Sequence, residues 1–453
     1  MNAPAPTADA PANDLLAGPL DGPLVRLAVP LLFGYLANLA FNWLNMLFVE
    51  RLSEAALAAV SSSAYVYWGM ISLAEVASVG TLALVARAVG ARDPRAAGTA
   101  ALAGAALGLA LGVGLAVAGP WVAPAITTAL GLTGETARLS TRYLELLFLC
   151  YPGLAGFLVL ESICRAAGRT AAPMAVLALA FGLNALLDWL LIFGAGPVPA
   201  LGVEGAAIAT VIARSLGALA LLGYVVARRE ALGLTWPGWR LEPARVLRVA
   251  RIGLPAATAG VGFAAIYVAL NHQTAAFGMT AVAALGVGLR IEGLAFLIAQ
   301  AIGRAAATMA GQNLGAGQVA RARAAAWRGV LHGWAAMLPL CLAMVLGADE
   351  IAAAVVPTQP LVAVAAASYL RVAGFALLGM SLEVVLENVA GGVGDTVPAM
   401  AIEVVGTALR LPIAWALALT GMGYHAVWWA VASTCVLKGL AFWVWFRRGR
   451  WAR

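Results

Sequence analysis

From Val25 onward the chain is a succession of long apolar runs separated by short polar ones. A membrane-spanning helix needs roughly 20 consecutive, mostly apolar residues. That rule predicts twelve spans. The first six are 25–49, 56–84, 97–118, 138–163, 171–194 and 203–227, and the second six are 250–276, 281–309, 326–346, 361–388, 396–420 and 424–446. The runs are continuous and do not alternate as barrel strands would, so they predict helices. Tilt accommodates the longer ones.

Composition strengthens this reading. The chain has 453 residues, 63% hydrophobic and only 11% charged, against about 25% charged in an ordinary soluble domain. No water-soluble core hides that much apolar surface. A soluble enzyme, a nucleic-acid binder and a disordered chain are excluded. The net charge of +7 is of the sign that suits DNA, but the basic residues fall between the apolar runs. Arg87, Arg92 and Arg95 follow span 2, Arg165 and Arg169 follow span 4, and Arg228, Arg229, Arg240, Arg245 and Arg248 fill the loop after span 6. Arg321 and Arg323 follow span 8, Arg447, Arg448, Arg450 and Arg453 end the chain, and Lys438 is the only lysine. The alternate loops are poor in arginine and include Asp349 and Glu350. The positive-inside rule then predicts a multi-pass protein of the inner (plasma) membrane with both termini cytoplasmic.

The two halves repeat. Arg26-Leu-Ala-Val-Pro30 is similar to Arg251-Ile-Gly-Leu-Pro255, and at the same offset Ala58-Ala59 meets Ala283-Ala284 and Gly90-Ala91 meets Gly315-Ala316. One residue further on, Leu160-Glu161 meets Leu386-Glu387, and Gly168 and Thr170 meet Gly394 and Thr396. Six spans return the chain to its starting side, so the copies are parallel. Transporters built this way bind near the repeat interface and alternate access by rocking one half on the other. The expected organisation is a disordered tail (1–20), a six-helix lobe (21–227), a cytoplasmic linker with Pro237 and Pro243 (228–248), a second six-helix lobe (249–446) and a basic tail (447–453).

Several motifs resemble one family. Asn42-Trp-Leu-Asn45-Met-Leu-Phe-Val49 is similar to the first-helix signature of MATE transporters (multidrug and toxic compound extrusion), and Asn184-Ala-Leu-Leu-Asp188-Trp-Leu-Leu-Ile-Phe-Gly194 to the fifth helix. Gly202-Val-Glu-Gly205-Ala-Ala-Ile-Ala-Thr210 resembles the start of its sixth helix, and Gly394-Asp395-Thr396 the end of its tenth. Leu285-Gly-Val-Gly-Leu-Arg290-Ile-Glu292 and Gly311-Gln312-Asn313-Leu-Gly315-Ala-Gly317 resemble the eighth helix and its loop. The resemblance covers roughly residues 24–446 and points to the bacterial DinF-like branch. It implies an all-α membrane protein of twelve helices in two parallel six-helix lobes with a central cleft. It also implies export of bulky, often cationic amphiphiles in exchange for H+ or Na+.

Ionisable groups inside spans cost at least ~2.5 kcal/mol on insertion scales, which makes them the informative positions. Asp188 stands in an apolar stretch with no basic residue on its own helix, and Asn184 lies one turn earlier on the same face. They read as an ion or proton site in the first lobe, against a helix-packing hydrogen bond. By depth, Asn45, Asn184 and Asp188 fall in the outer halves of spans 1 and 5, and Tyr143 and Thr210 in the outer halves of spans 4 and 6. All five match the family's ion-coupling positions. Where the family commonly has Asp, this chain has Asn45, and an amide can ligate Na+ but cannot titrate. A Na+ held by Asp188, Asn184, Asn45 and Thr210 remains open beside a proton on Asp188. Glu75, Asn271, His272, Arg290 and Glu292 are candidates for the substrate cleft. For Glu75 the alternative is a pair with an arginine such as Arg87, and for Glu292 a structural ion pair with Arg290 or Arg410. Glu383, in span 10, is a further weak candidate.

Cys150, Cys164, Cys341 and Cys435 have no CxxC spacing, and His272, His332 and His425 form no HExxH-type pair. Neither a catalytic site nor a cofactor beyond the coupling ion is expected. Gly315-Ala-Gly317 lacks the Lys-Ser/Thr of a nucleotide-binding loop, so pumping must be secondary. The sequence therefore predicts an ion-coupled antiporter, acting as a monomer on small amphiphiles among membrane lipids. The alternative is a flippase for lipid-linked oligosaccharides or lipids of the same superfamily, which calls for a cleft lined by arginine. A major-facilitator transporter would show a longer central loop.

Overall fold

A helix forms at each predicted span. The computed structural model describes residues 15–194, 196–236 and 241–452. The expectations for most of the N-terminal tail, for Pro237, for Arg240 and for Arg453 lie outside the described residues. The first six spans are α1 (Asp21–Glu50), α2 (Glu54–Gly90), α3 (Pro94–Ala129), α4 (Gly134–Ala166), α5 (Ala171–Phe193) and α6 (Val203–Ala227). Then follow α7 (Pro243–Ala275), α8 (Met279–Gly315), α9 (Val319–Leu346), the short α10 (Ala348–Val355), α11 (Pro360–Val393), α12 (Thr396–Ala408), α13 (Arg410–Ala418) and α14 (His425–Arg448). Twelve of the helical spans are long and apolar enough to cross a membrane, with α12 and α13 together making one.

Local chemistry sets several ends. Ser53 accepts a hydrogen bond from the Ala56 N–H at 3.0 Å and caps α2, and Asp93 accepts from the Ala96 N–H at 2.9 Å ahead of Pro94 at the start of α3. Two features depart from the predicted spans. The Asp349-Glu350 loop is the first turn of α10, where acidic side chains suit the positive end of a helix. Span 11 is interrupted at Leu409. Pro412 explains the break, because its ring lacks an N–H and crowds the Ala408 carbonyl four residues back.

Two helical lobes result. In the first, α4 is the central helix, packed against α2, α3 and α6. Its buried Tyr143, Leu144, Leu147, Phe148 and Tyr151 form the lobe's core, and the Tyr151 hydroxyl donates to the Met70 carbonyl at 2.9 Å. In the second lobe α11 holds the same place, packed against α8, α9 and α14. Spans 4 and 10 are repeat equivalents, so each copy buries the same member of its set.

The compact units do not follow the covalent order at the start of each repeat. The first unit takes Val29–Ala257, including the first turns of α7, and the second takes Thr258 onward together with Pro19–Ala28. Within the first unit, Gly80 of α2 lies against the Val249 backbone and Gly253 of α7 against the Val76 backbone. Within the second unit, Asp21 pairs with Arg328 at 3.5 Å, and Leu24 is wholly buried. Both exchanges fall beside the repeated prolines, Pro30 and Pro255.

Candidate ion and substrate sites

Helix α5 buries one stripe: Pro173, Met174, Leu177, Ala180, Phe181, Asn184, Asp188 and Ile192. The spacing of three and four residues is that of a single helical face. Leu179, Leu186 and Trp189 cover the opposite, exposed face. Asp188 is therefore directed into the lobe by the same periodicity that buries its apolar neighbours. It is 0% exposed, and neither carboxylate oxygen meets a hydrogen-bond donor.

Helix α6 lies antiparallel beside α5, close enough that a Cβ on Gly205 would strike the Leu191 carbonyl and one on Gly217 would reach Ala180 at 3.2 Å. This packing joins Asn184 to Thr210, whose hydroxyl accepts from the amide Nδ2 at 3.4 Å and donates to the Ala206 carbonyl at 3.0 Å. The Asn184 Oδ1 is buried with no donor. Tyr143 is buried on α4 and close enough to feel the charge of Asp188, without donating to it. Asn45 is half-buried on α1. Three contacts align α1 with α5: Gly34 against Met174, Phe41 stacked on Phe181 at 5.1 Å and Phe48 edge-on to Phe193 at 5.8 Å. They put Asn45 at the level of Asp188. Four of the five first-lobe candidates thus belong to one buried neighbourhood, and the fifth stands beside it at the same height. What this neighbourhood offers chemically is three buried oxygens that lack a donor, two on Asp188 and one on Asn184.

The sequence reading passed over Arg214. It lies one turn beyond Thr210 on α6, with its guanidinium 4.8 Å from the centre of the Phe181 ring. Its Nε is buried without a partner. A single arginine inside span 6 is the same signal that drew attention to Asp188.

In the second lobe Glu292 is half-buried and accepts a hydrogen bond from the Tyr369 hydroxyl at 2.5 Å. The expected ion pair does not form among the described residues. Arg290 is exposed. Arg410 is 2% exposed and already engaged: it donates to Thr434 at 3.0 Å and to the Cys435 sulfur at 3.4 Å, and it faces the Tyr267 ring at 5.0 Å. Asn271 is half-buried and His272 exposed near the end of α7, and Glu75 is half-buried in α2. Among the described residues Tyr369 is the hydrogen-bond partner of Glu292, so the second-lobe candidates Asn271, His272, Arg290 and Glu292 do not assemble as the first-lobe ones do. A different group does assemble there. Lys438 of α14, buried to 1%, reaches Glu383 of α11 at 2.7 Å and Glu403 of α12 at 2.8 Å.

Comparison with known proteins accords with this architecture. In sequence the chain is similar to a probable multidrug resistance protein NorM of Thermotoga maritima, 25% identical over 95% of this chain and 93% of the relative. It is similar to a NorM protein of Bradyrhizobium diazoefficiens, 27% identical over 92% and 91%, and to an FAD transporter of Shewanella oneidensis, 28% identical over 69% of each. In structure it resembles a MOP superfamily transporter from Pyrococcus furiosus, with a TM-score of 0.90, 22% identity and 98% of both chains covered. It also resembles the outward-facing form of a multidrug resistance MATE transporter, with a TM-score of 0.88, 23% identity and 96% and 97% covered. The MatE family model matches residues 30–190 and again 255–416. The two matches start 225 residues apart (30 to 255) and end 226 apart (190 to 416), the same offset and one-residue shift as the internal repeat. Those two matches span more than half of the chain, and the chain belongs to the MatE family of membrane transporters.

Proposed function

We propose that this chain is an inner-membrane antiporter of the DinF-like branch, exporting lipophilic, often cationic compounds in exchange for H+ (or Na+) by alternating access. As a family member it is a secondary transporter of small amphiphiles and not an enzyme. The observation that carries the coupling reading is Asp188. A buried carboxylate with no donor at either oxygen is costly unless it holds a proton or a cation. An exchangeable ion is the partner missing from such a group. Loading it changes the charge of the first lobe's interior, and an ion biases an equilibrium only if it binds the two states differently. We favour H+. One lone pair suffices for a proton, whereas Na+ must replace several waters, and the Thr210 hydroxyl is already engaged by Asn184 and Ala206.

The names of the relatives speak for amphiphilic cargo: two are multidrug resistance proteins and one transports FAD. Both termini are proposed to be cytoplasmic, from the arginine distribution, and the protein to act as a monomer. Overexpression in a pump-deficient host should raise resistance to lipophilic cationic dyes several-fold. Dye uptake into everted vesicles, the equivalent of export from the cell, should stop when the coupling gradient is collapsed and persist when the other is. Unchanged resistance and dye content, with altered lipid-linked sugar precursors, would replace this reading by the flippase.

Asn45 offers a second check. Asn45→Asp places a carboxylate at the height of Asp188 and supplies a charged ligand that the site lacks. Cation binding, read as Na+-dependent thermal stabilisation of the purified protein, should tighten by about tenfold, the equivalent of 1.4 kcal/mol. An unchanged response would show that Asn45 does not share the site.

A further inference from the structure

The second lobe buries a charge cluster that the coupling scheme does not use. The Lys438 ammonium has three N–H donors, and it meets three oxygens: Glu383 Oε1 at 2.7 Å, Glu403 Oε1 at 2.8 Å and Thr407 Oγ1 at 3.1 Å. Thr407 in turn donates to Glu403 at 3.0 Å. Glu383 and Glu403 are each 6% exposed, and Thr407 is 0% exposed. The second oxygen of each carboxylate is buried without a donor. The cation is thus held by oxygens from two different helices and reaches them from a third. The backbone makes room for it. Gly406 has no side chain, and the Lys438 stem lies where its Cβ would be.

Two carboxylates converging on one point in a low-dielectric interior repel each other unless a cation sits between them. In a transporter such a pair is a ready place for a solution cation. Here the place is taken by the chain itself.

We propose that Glu383, Glu403 and Thr407 form a cation site of ammonium size in the second lobe, and that Lys438 is its permanent, covalently tethered occupant. The ligand class for which the site is shaped is a primary alkylammonium. A tethered cation has no translational freedom to lose and an effective concentration no free ion matches, so solution cations do not exchange there. Given the antiporter reading, on which only this consequence rests, ion exchange is confined to the first lobe and Asp188. Lys438 is a specificity-determining residue in that sense: it closes the Glu383–Glu403 site of the second lobe to coupling.

The test is to empty the site. Lys438→Ala deletes the atoms of n-propylammonium, leaving a vacancy of that shape lined by two carboxylates. Purified wild type, Lys438→Ala and Lys438→Ala/Glu383→Gln are compared by thermal unfolding, in propylammonium chloride and in equal tetramethylammonium chloride. Lys438→Ala should unfold several degrees below wild type, since removing one partner of a buried pair strands the other. Propylammonium should restore most of that loss and saturate, as expected of a ligand bound by the native state alone. Tetramethylammonium, which has no N–H, should not. Neither wild type nor the double variant should respond. If Lys438→Ala fails to accumulate, growth with propylammonium should recover it. The proposal is overturned if wild type responds as strongly as Lys438→Ala, if Lys438→Ala responds no better to propylammonium than to tetramethylammonium, or if propylammonium cannot recover the protein. No drug enters this assay, so loss of the antiporter reading would leave the occupied site standing, and the converse.

Discussion

Asp188→Asn protein should accumulate in the membrane in normal amounts, unfold at or above the wild-type temperature, and show no ion-driven export above the empty-vector level. The reasoning starts from packing. Asp188 and Asn have nearly the same volume, and the carboxylate makes no hydrogen bond that the amide would lose. Replacing a buried ionisable group by a neutral one removes a desolvation cost, so stability is expected to change by no more than about 1 kcal/mol. Function is a different matter. Asp188 is the one acidic side chain in its neighbourhood of Asn184, Thr210, Tyr143 and Asn45. Without it neither a proton nor the charge that holds Na+ has a place there. Export from vesicles, with each gradient imposed in turn, and thermal unfolding of the same preparation separate coupling from folding. Full gradient-driven transport by well-folded Asp188→Asn protein would sink the assignment and pass suspicion to Glu75 and Glu292.

The helices were legible because lipid imposes a one-dimensional signature: a run of about 20 apolar residues can be counted without knowing what it packs against. The repeat was legible because its offset is constant. Helix α10 was not, since eight residues fall far below that threshold. The break at Leu409 was only half legible. Pro412 marks it, but Pro30, Pro152, Pro255 and Pro339 lie inside uninterrupted helices, so a proline alone does not decide. The exchange of first turns between the units was hidden for a similar reason. Residues 21–28 and 243–257 belong covalently to one repeat and by packing to the other unit, and a linear reading follows the covalent order.

The site divides along the same line. Asn184 and Asp188 are four residues apart on one helix, so their shared face follows from the helical period alone. Tyr143 and Thr210 came through their depth in the membrane and the family resemblance, because no local spacing connects α4 or α6 to α5. Lys438 and Glu403 lie 35 residues apart, and nothing in either run announces the other. Lys438 is a lone charge inside an apolar span, while Glu403 shares its span only with Arg410 and Arg214 only with Glu204, and each could have been singled out as Asp188 was. Their partners could not, because pairing is decided by helix packing. Glu292 makes the point from the other side. Arginines were available to it in the sequence, yet Tyr369 holds it, since Arg410 is taken by Thr434, Cys435 and Tyr267.

Gly253→Ala should destabilise the first lobe by about 1–3 kcal/mol, and Gly253→Val by more, to the point of losing most folded protein. The first turns of α7 cross α2 with backbone against backbone. A Cβ on Gly253 would land on the Val76 carbonyl and one on Gly80 on the Val249 carbonyl, so each helix needs its glycine where the other comes closest. Small residues let membrane helices approach this way, and the gain is close packing along the contact. A clash with a flexible side chain could be relieved by a rotamer change. A clash with a carbonyl of a hydrogen-bonded helix cannot, because the whole helix must move and the interior is already close-packed. Gly80→Ala should behave like Gly253→Ala. The control is Gly114→Ala on α3, where nothing lies within 4 Å of the added carbon; there alanine's better helix propensity should raise stability by up to about 1 kcal/mol. Thermal unfolding of the four variants in one detergent, with the yield of monodisperse protein, makes the comparison. A Gly253→Ala protein as stable as Gly114→Ala would mean that α2 and α7 do not meet at these glycines, and that the first turns of α7 are not held by the first unit.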